Sequence, residues 1–308
     1  MTKTQDQIYY CQPVFRPPSE AYSLLIQLTE GCSYTCAFCV PYLRKHFKVR
    51  EIDLVKKDLN IAKKIYGPKV RKIFFLDGNA MVTPSDKLVE ITNYAFQIFP
   101  NLERCSVYSH SKDIIRKTEK QLRELSEAGL TLAYVGFESG YDELLNKVNK
   151  HVTKKNHIEA SKKLMKADIT LSATLINGLG GGNNPELSEK HAIESADLIN
   201  KICPDDDRIW YIAFLTLMIP SGTEIFKLRS KGQFQEMNSS EILKELKIFI
   251  QNIEFHNRNA ECIFRCNHAS NYLAIKGILD RDKESILSTI NHGLSHSEIL
   301  KPEFYRGL

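Results

Sequence analysis

The chain has 308 residues, of which 43% are hydrophobic and 26% charged, and it carries a net charge of +5. That length buries a sizeable core, as one large domain or two small ones, and the composition is that of an ordinary globular protein. The N-terminus lacks the apolar stretch of a signal peptide, and no run of about 18 apolar residues appears, so a cytoplasmic chain is expected. The charge is modest and no basic block is dense, which argues for neither a membrane surface nor a nucleic-acid partner.

A polar arm, residues 1–20, precedes the first regular element. An apolar run at 22–28 reads as a buried strand, followed by a cysteine-bearing loop and a helix over 53–66. Next come a strand at 72–76, a helix at 84–98, a strand at 104–109 and one helix over 111–128. The alternation continues with a strand at 131–137, helices at 142–148 and 154–167, a strand at 170–176, a helix at 188–202 and a strand at 210–217. Two helix starts carry capping signals. Thr83-Pro84-Ser85-Asp86 places an N-cap before a proline at the first helical position, and Ser139-Gly140-Tyr141-Asp142 resembles a capping box. After about residue 227 the rhythm stops. A long amphipathic helix at 239–253, a short apolar segment and a last helix near 283–292 complete the chain.

Six strands alternating with helices make parallel βαβ units. The expected fold is α/β, a partial (β/α)6 TIM-like barrel over residues 21–226, with a helical C-terminal extension, 227–308, covering the barrel mouth. In such a barrel the active groups belong on the loops after the strands.

Of eight cysteines, three lie within eight residues, in Gly31-Cys32-Ser33-Tyr34-Thr35-Cys36-Ala37-Phe38-Cys39. In a reducing compartment such a cluster points to metal or catalysis and not to disulfides. Three thiolates spaced C-x3-C-x2-C bind three irons of a cubane cluster and leave the fourth open to a small molecule. A structural zinc site needs a fourth ligand, and His46 stands at no common zinc spacing. A C-x-x-C redox pair leaves Cys32 without a role, and buried structural cysteines are the remaining alternative. Cys11, Cys105, Cys203, Cys262 and Cys266 read as small buried hydrophobes.

The triplet, with an aromatic residue before its last cysteine and a strand before its first, resembles the radical S-adenosylmethionine (SAM) superfamily. The resemblance extends over about residues 17–294. It implies a [4Fe–4S] cluster on Cys32, Cys36 and Cys39, with S-adenosyl-L-methionine chelated to the open iron and cleaved to a 5′-deoxyadenosyl radical. It also implies that Phe38 lies near the adenine. The loop that commonly reads Gly-Gly-Glu and meets the methionine amino group is here Asp77-Gly78-Asn79, so backbone carbonyls assisted by Asp77 or Asn79 take that role. Gly136-Phe137-Glu138-Ser139-Gly140 is similar to the Gly-x-Glu-Ser-Gly of methylthiotransferases and oxygen-independent coproporphyrinogen oxidases, which makes Glu138 a ribose ligand. Ser172, Thr174 and Asn177, in the fifth strand and its glycine-rich end, line the adenine pocket, and Leu217 or Met218 packs on the ring before a turn resembling the family's Pro-Gly-Thr.

For the substrate, Arg44, Lys45, His46, Lys48 and Arg50 form either a solvated loop or a clamp for a carboxylate or phosphate. Tyr108, Ser109 and His110 end the third strand as proton donors or orienting groups. In the C-terminal extension His268, Asn271 and Cys266 are candidates, Cys266 as a hydrogen-atom donor, and the Cys262-x3-Cys266 spacing invites a second cluster. The resemblance further implies a ferredoxin- or flavodoxin-type electron donor. The strings 16–21 and 270–272 resemble an uncharacterised group of the superfamily. Methylthiotransferases add an N-terminal cluster domain and a C-terminal RNA-binding domain that this length does not hold, so tRNA methylthiolation is not expected. Hydrogen abstraction from an organic substrate is the first expectation. A radical methyltransferase and a non-catalytic iron–sulfur protein are the alternatives.

Overall fold

The computed structural model describes residues 7–307, so the first six residues of the arm and residue 308 lie outside the described residues. In chain order the elements are β1 (Leu24–Gln27), β2 (Thr29–Glu30), β3 (Lys48–Val49), α1 (Ile52–Tyr66), β4 (Lys72–Leu76), α2 (Ser85–Ile98), β5 (Arg104–Ser109), α3 (Ser111–Arg116), α4 (Glu119–Glu127), β6 (Leu130–Glu138), α5 (Asp142–Lys147) and α6 (Lys154–Lys166). They continue with β7 (Thr170–Asn177), α7 (Pro185–Lys201), β8 (Ile209–Thr216), α8 (Glu224–Ser230), α9 (Ser239–Gln251), β9 (Glu261–Cys266), β10 (Ile275–Ile278) and α10 (Lys283–Ser295). Strands β1, β4, β5, β6, β7, β8, β9 and β10 form one eight-stranded sheet in that order, and β2 and β3 form a small hairpin. The fold is α/β with a mostly parallel sheet, as the alternation requires. No helix among the described residues is long and apolar enough to cross a membrane.

The chain divides into two compact units. The first comprises residues 7–33, Pro41–Val135 and Lys163–Leu171. In it β1 runs parallel to β4, β4 to β5 and β5 to β6. Its core follows from the pattern: Ile73, Phe74, Phe75 and Leu76 of β4 are wholly buried, and α1 presents Val55, Leu59 and Ala62 at i, i+4 and i+7. The expected helix over 111–128 is two helices. Thr118 and Gln121 form a capping box that starts α4 afresh, and this local signal overrides a hydrophobic periodicity that runs on through it.

The second unit comprises Tyr34–Val40, Gly136–Lys162 and residues 172–307. Here β7 is parallel to β8 and β8 to β9, while β10 returns antiparallel to β9. The extension is therefore not only helical. The segment expected to be merely apolar is β9, whose alternating burial, Cys262, Phe264 and Cys266 inward, is the period-2 signature of a strand. Helices α7 and α9 pack together, as do α9 and α10.

The expected caps differ in detail. Helix α2 starts at Ser85 with no side-chain cap, leaving the Thr83 hydroxyl buried without a partner. Ser139 accepts the Tyr141 N–H two residues on, a tighter turn than the capping box expected there.

Candidate functional site

Within the first unit the end of β4 carries Asp77, which is wholly buried. Its Oδ2 accepts from Gln27 Nε2 (2.9 Å), the Gly31 N–H (3.1 Å) and Lys45 Nζ (2.6 Å), and its own N–H donates to Thr29 Oγ1. The other oxygen, Oδ1, is buried with no partner. Burial raises the carboxyl above its ordinary value, opposed by Lys45. Lys45, expected among the clamp residues, is thus committed to Asp77, its side chain 2% exposed. Arg50 is committed to Asp58 and the Gln27 carbonyl, while Arg44, His46 and Lys48 remain exposed. Gly78 packs under the Tyr42 ring, where an added Cβ would collide.

Asn79 has its side chain occupied by protein. Nδ2 donates to Ser33 Oγ and Asp113 Oδ2, and Oδ1 accepts the His110 N–H. It is a tie between the cysteine-bearing loop, the end of β5 and α3. His110 caps α3 through Nδ1. Tyr108 stacks edge-on against Phe74 at 4.7 Å and faces Tyr134, and burial pushes its phenol well up. Ser109 Oγ is buried and unpartnered. Of the three clustered cysteines Cys32 belongs to this unit, one residue after Gly31.

Within the second unit Cys36 and Cys39 sit on one turn, closed by the Cys39 N–H donating to the Cys36 carbonyl at 3.0 Å. Phe38 packs against an apolar cluster that includes Ile176, Leu179 and Leu217. The end of β6 explains the Gly-x-Glu-Ser-Gly string residue by residue. Glu138 has φ +65°, a backbone state costly for a non-glycine residue and typical of functional sites. Its carboxylate accepts from Lys150 Nζ at 3.0 Å, with side chains 10% and 7% exposed. A Cβ at Gly136 would collide with the Glu138 carboxylate and lie 3.0 Å from Lys150 Nζ, so the glycine makes room for the ion pair. A Cβ at Gly140 would overlap the Glu194 carbonyl of α7. At the end of β7 Asn177 is 1% exposed, and both atoms of its amide are buried without a partner. Ser172 is buried in the same strand.

At the end of β8, Leu217 is buried, and Met218 is half-buried with its Sδ 3.0 Å from Arg306 Nη2. His268 is half-buried and held by Ser270, its pKa lowered by burial and then by Lys301. Asn271 is spent on the Phe214 carbonyl and the Thr216 hydroxyl. Cys266 is buried in β9, its thiol pushed up to about 12 by desolvation, so it keeps its proton. Among the described residues no group of three or more His, Cys, Asp or Glu side chains is gathered to hold a metal ion. Lys150, Gln27, His191 and Glu245 escaped the sequence reading. Only Lys150 left a trace, as a basic residue shortly after the Glu-Ser-Gly turn.

The family model of the Radical SAM superfamily matches residues 26–190. A tRNA-2-methylthio-N(6)-dimethylallyladenosine synthase of Bdellovibrio bacteriovorus is 22% identical over 187 residues, covering 59% of this chain and 40% of its own length. A bacteriochlorophyllide d C-12(1)-methyltransferase of Chlorobaculum tepidum is 27% identical over 150 residues, covering 47% of this chain and 31% of its own. The chain thus spans less than half the length of these curated relatives. Among solved structures, methylornithine synthase aligns with TM-score 0.51 at 13% identity, over 87% of this chain and 80% of that one, which is a likeness of fold.

Proposed function

The chain belongs to the radical SAM superfamily, and from that premise we propose that it binds a [4Fe–4S] cluster through Cys32, Cys36 and Cys39 and S-adenosyl-L-methionine through the strand-end residues described above. When bound, the group supplies one-electron cleavage of S-adenosylmethionine to methionine and a 5′-deoxyadenosyl radical that removes hydrogen from an organic substrate. One observation carries the reading: residues chosen from the sequence as cofactor ligands, Asp77 and Asn177, bear buried polar atoms that the protein leaves unpartnered. Buried polar groups are mostly satisfied, so at these strand ends the unpartnered atoms support the reading that a ligand's own donors and acceptors meet them.

Asp77 Oδ1 suits an ammonium, and the Asn177 amide, able to donate and accept, suits an adenine edge. Glu138, held by Lys150, accepts from ribose hydroxyls, and Phe38 and Leu217 supply apolar surface for a ring. Tyr108, Ser109, His268 and Cys266 remain the proposed substrate-side groups. A cluster of this kind needs a reducing cytoplasm and a ferredoxin- or flavodoxin-type donor. Radical methyl transfer is the second reading, favoured by the methyltransferase among the relatives.

The test is anaerobic. Protein reconstituted with iron and sulfide, reduced with dithionite and given S-adenosylmethionine should form 5′-deoxyadenosine, and a Cys36→Ala variant should not. A fully loaded cluster that forms none, with candidate substrates present, overturns the proposal. S-adenosylhomocysteine appearing alongside marks methyl transfer.

A further inference from the structure

Behind the turns that carry Glu138 and Asn177 lies a buried polar network that neither residue belongs to. Glu245 of α9 is 2% exposed. Its Oε1 accepts the Gly178 N–H at 2.7 Å, and its Oε2 accepts the Ser188 hydroxyl at 2.5 Å. His191 of α7, 1% exposed, stands 3.8 Å from the same carboxylate. Its Nε2 lies 3.1 Å from the Ile176 carbonyl, and its Nδ1 lies 2.8 Å from Ser139 Oγ, which itself accepts the Tyr141 N–H. Ser195, one turn on from His191, accepts the Gly140 N–H at 2.9 Å. The network therefore grips the backbone on both sides of Asn177, at Ile176 and Gly178. It also grips the turn immediately after the strained Glu138, at Ser139, Gly140 and Tyr141.

A carboxylate taken out of water has to be repaid by the groups it fixes. Glu245 spends its two oxygens on one main-chain amide at a strand end and one hydroxyl, which is what holding a loop in place requires. Glu138 keeps a left-handed backbone only because its surroundings over-determine it.

We propose that Glu245 and His191 are positioning residues for the cofactor pocket: Glu245, from the C-terminal segment, sets the 176–178 turn, and His191 couples it to the 138–141 turn. This deepens the reading above and rests on Glu138 and Asn177 meeting S-adenosylmethionine. Neither Glu245 nor His191 touches the cofactor.

The experiment uses the reconstituted holoprotein under anaerobic conditions. It measures the S-adenosylmethionine dissociation constant and, separately in cofactor-free protein, hydrogen exchange of the 138–141 and 176–178 amides. Glu245→Leu should weaken cofactor binding at least tenfold and speed exchange in both turns, with cluster content unchanged. Glu245→Gln, which still accepts the Gly178 N–H, should bind within about twofold of wild type. Faster exchange with unaltered binding overturns the proposal, as does a Gln variant that falls as far as the Leu variant. If Glu245→Leu does not fold, Ser188→Ala takes its place. A three- to tenfold weaker binding is then expected, and an unchanged constant overturns the proposal. Failure of the underlying reading shows differently, as wild-type protein that loads its cluster and binds no S-adenosylmethionine.

Discussion

Replacing Lys150 with methionine isolates the electrostatics of the Glu138 turn. The two side chains are 7% and 10% exposed and their charged atoms lie 3.0 Å apart. At an effective dielectric of about 20 that separation corresponds to roughly 5 kcal/mol of attraction, which largely offsets the cost of burying both charges. Lys150→Met keeps the aliphatic bulk but strands a carboxylate on a backbone already at φ +65°. The expected loss is about 3–5 kcal/mol, as for removing one member of a buried pair. Adding Glu138→Gln removes the stranded charge, and the double variant should recover about 2 kcal/mol of that loss. Trp210, the sole tryptophan and wholly buried in the same unit, reports unfolding by fluorescence. Urea titrations of the cluster-free protein at pH 7 therefore give the cycle directly. A Lys150→Met loss under about 1 kcal/mol, or a double variant no more stable than the single, refutes the reasoning.

Asn79→Ala should cost about 1–3 kcal/mol in urea unfolding followed by circular dichroism, because it removes one donor to the buried Asp113 carboxylate and the side-chain acceptor of the His110 N–H; an unchanged midpoint would show that the tie is slack. Gly140→Ala should destabilise by about 1–3 kcal/mol and weaken S-adenosylmethionine binding, since its methyl group overlaps the Glu194 carbonyl, and wild-type behaviour in both assays would count against the close approach. Lys117 is 7% exposed, and burial lowers its pKa from 10.5 to about 8. Between those values the unfolded chain binds the extra proton, so stability should rise by up to about 3 kcal/mol from pH 8 to pH 10.5. Below pH 8 the cost of burying the charge is paid in full, and in Lys117→Met the rise should vanish; a wild-type profile flat over that window contradicts the assignment.

How much of this was legible in the sequence depends on whether the signal was local. Strand β4 falls where its apolar run places it, because a strand buried along nearly its whole length announces itself in composition. The strand β9 did not, since Glu261 and Arg265 dilute its hydrophobicity and only the alternation marks it. Asp77, Glu138 and Asn177 stood out as cofactor candidates because each lies close to a glycine in one short strand-end string. Gln27, His191 and Glu245 were not. Each acts across more than 45 residues of chain, on Asp77 from β1, on Ser139 from α7 and on Gly178 from α9. Periodicity puts Glu245 on the apolar face of α9, between Ile242 and Phe249, but the partners that a buried carboxylate finds there are distant in the chain and leave no local signal. Lys45 shows the converse error, a lysine in a basic run that the fold takes inside.

The pairing of β8 with β9 also governs how the chain is made. Strand β8 ends at Thr216 and its outer neighbour begins only at Glu261. At about 5–20 residues per second, synthesis leaves the Ile209–Thr216 strand an open parallel edge for several seconds. That edge carries Trp210, Ile212 and Phe214, an apolar template for pairing with another nascent chain. Crowded polysomes at high expression are where this protein should aggregate, and slow translation across 217–260 lengthens the exposure.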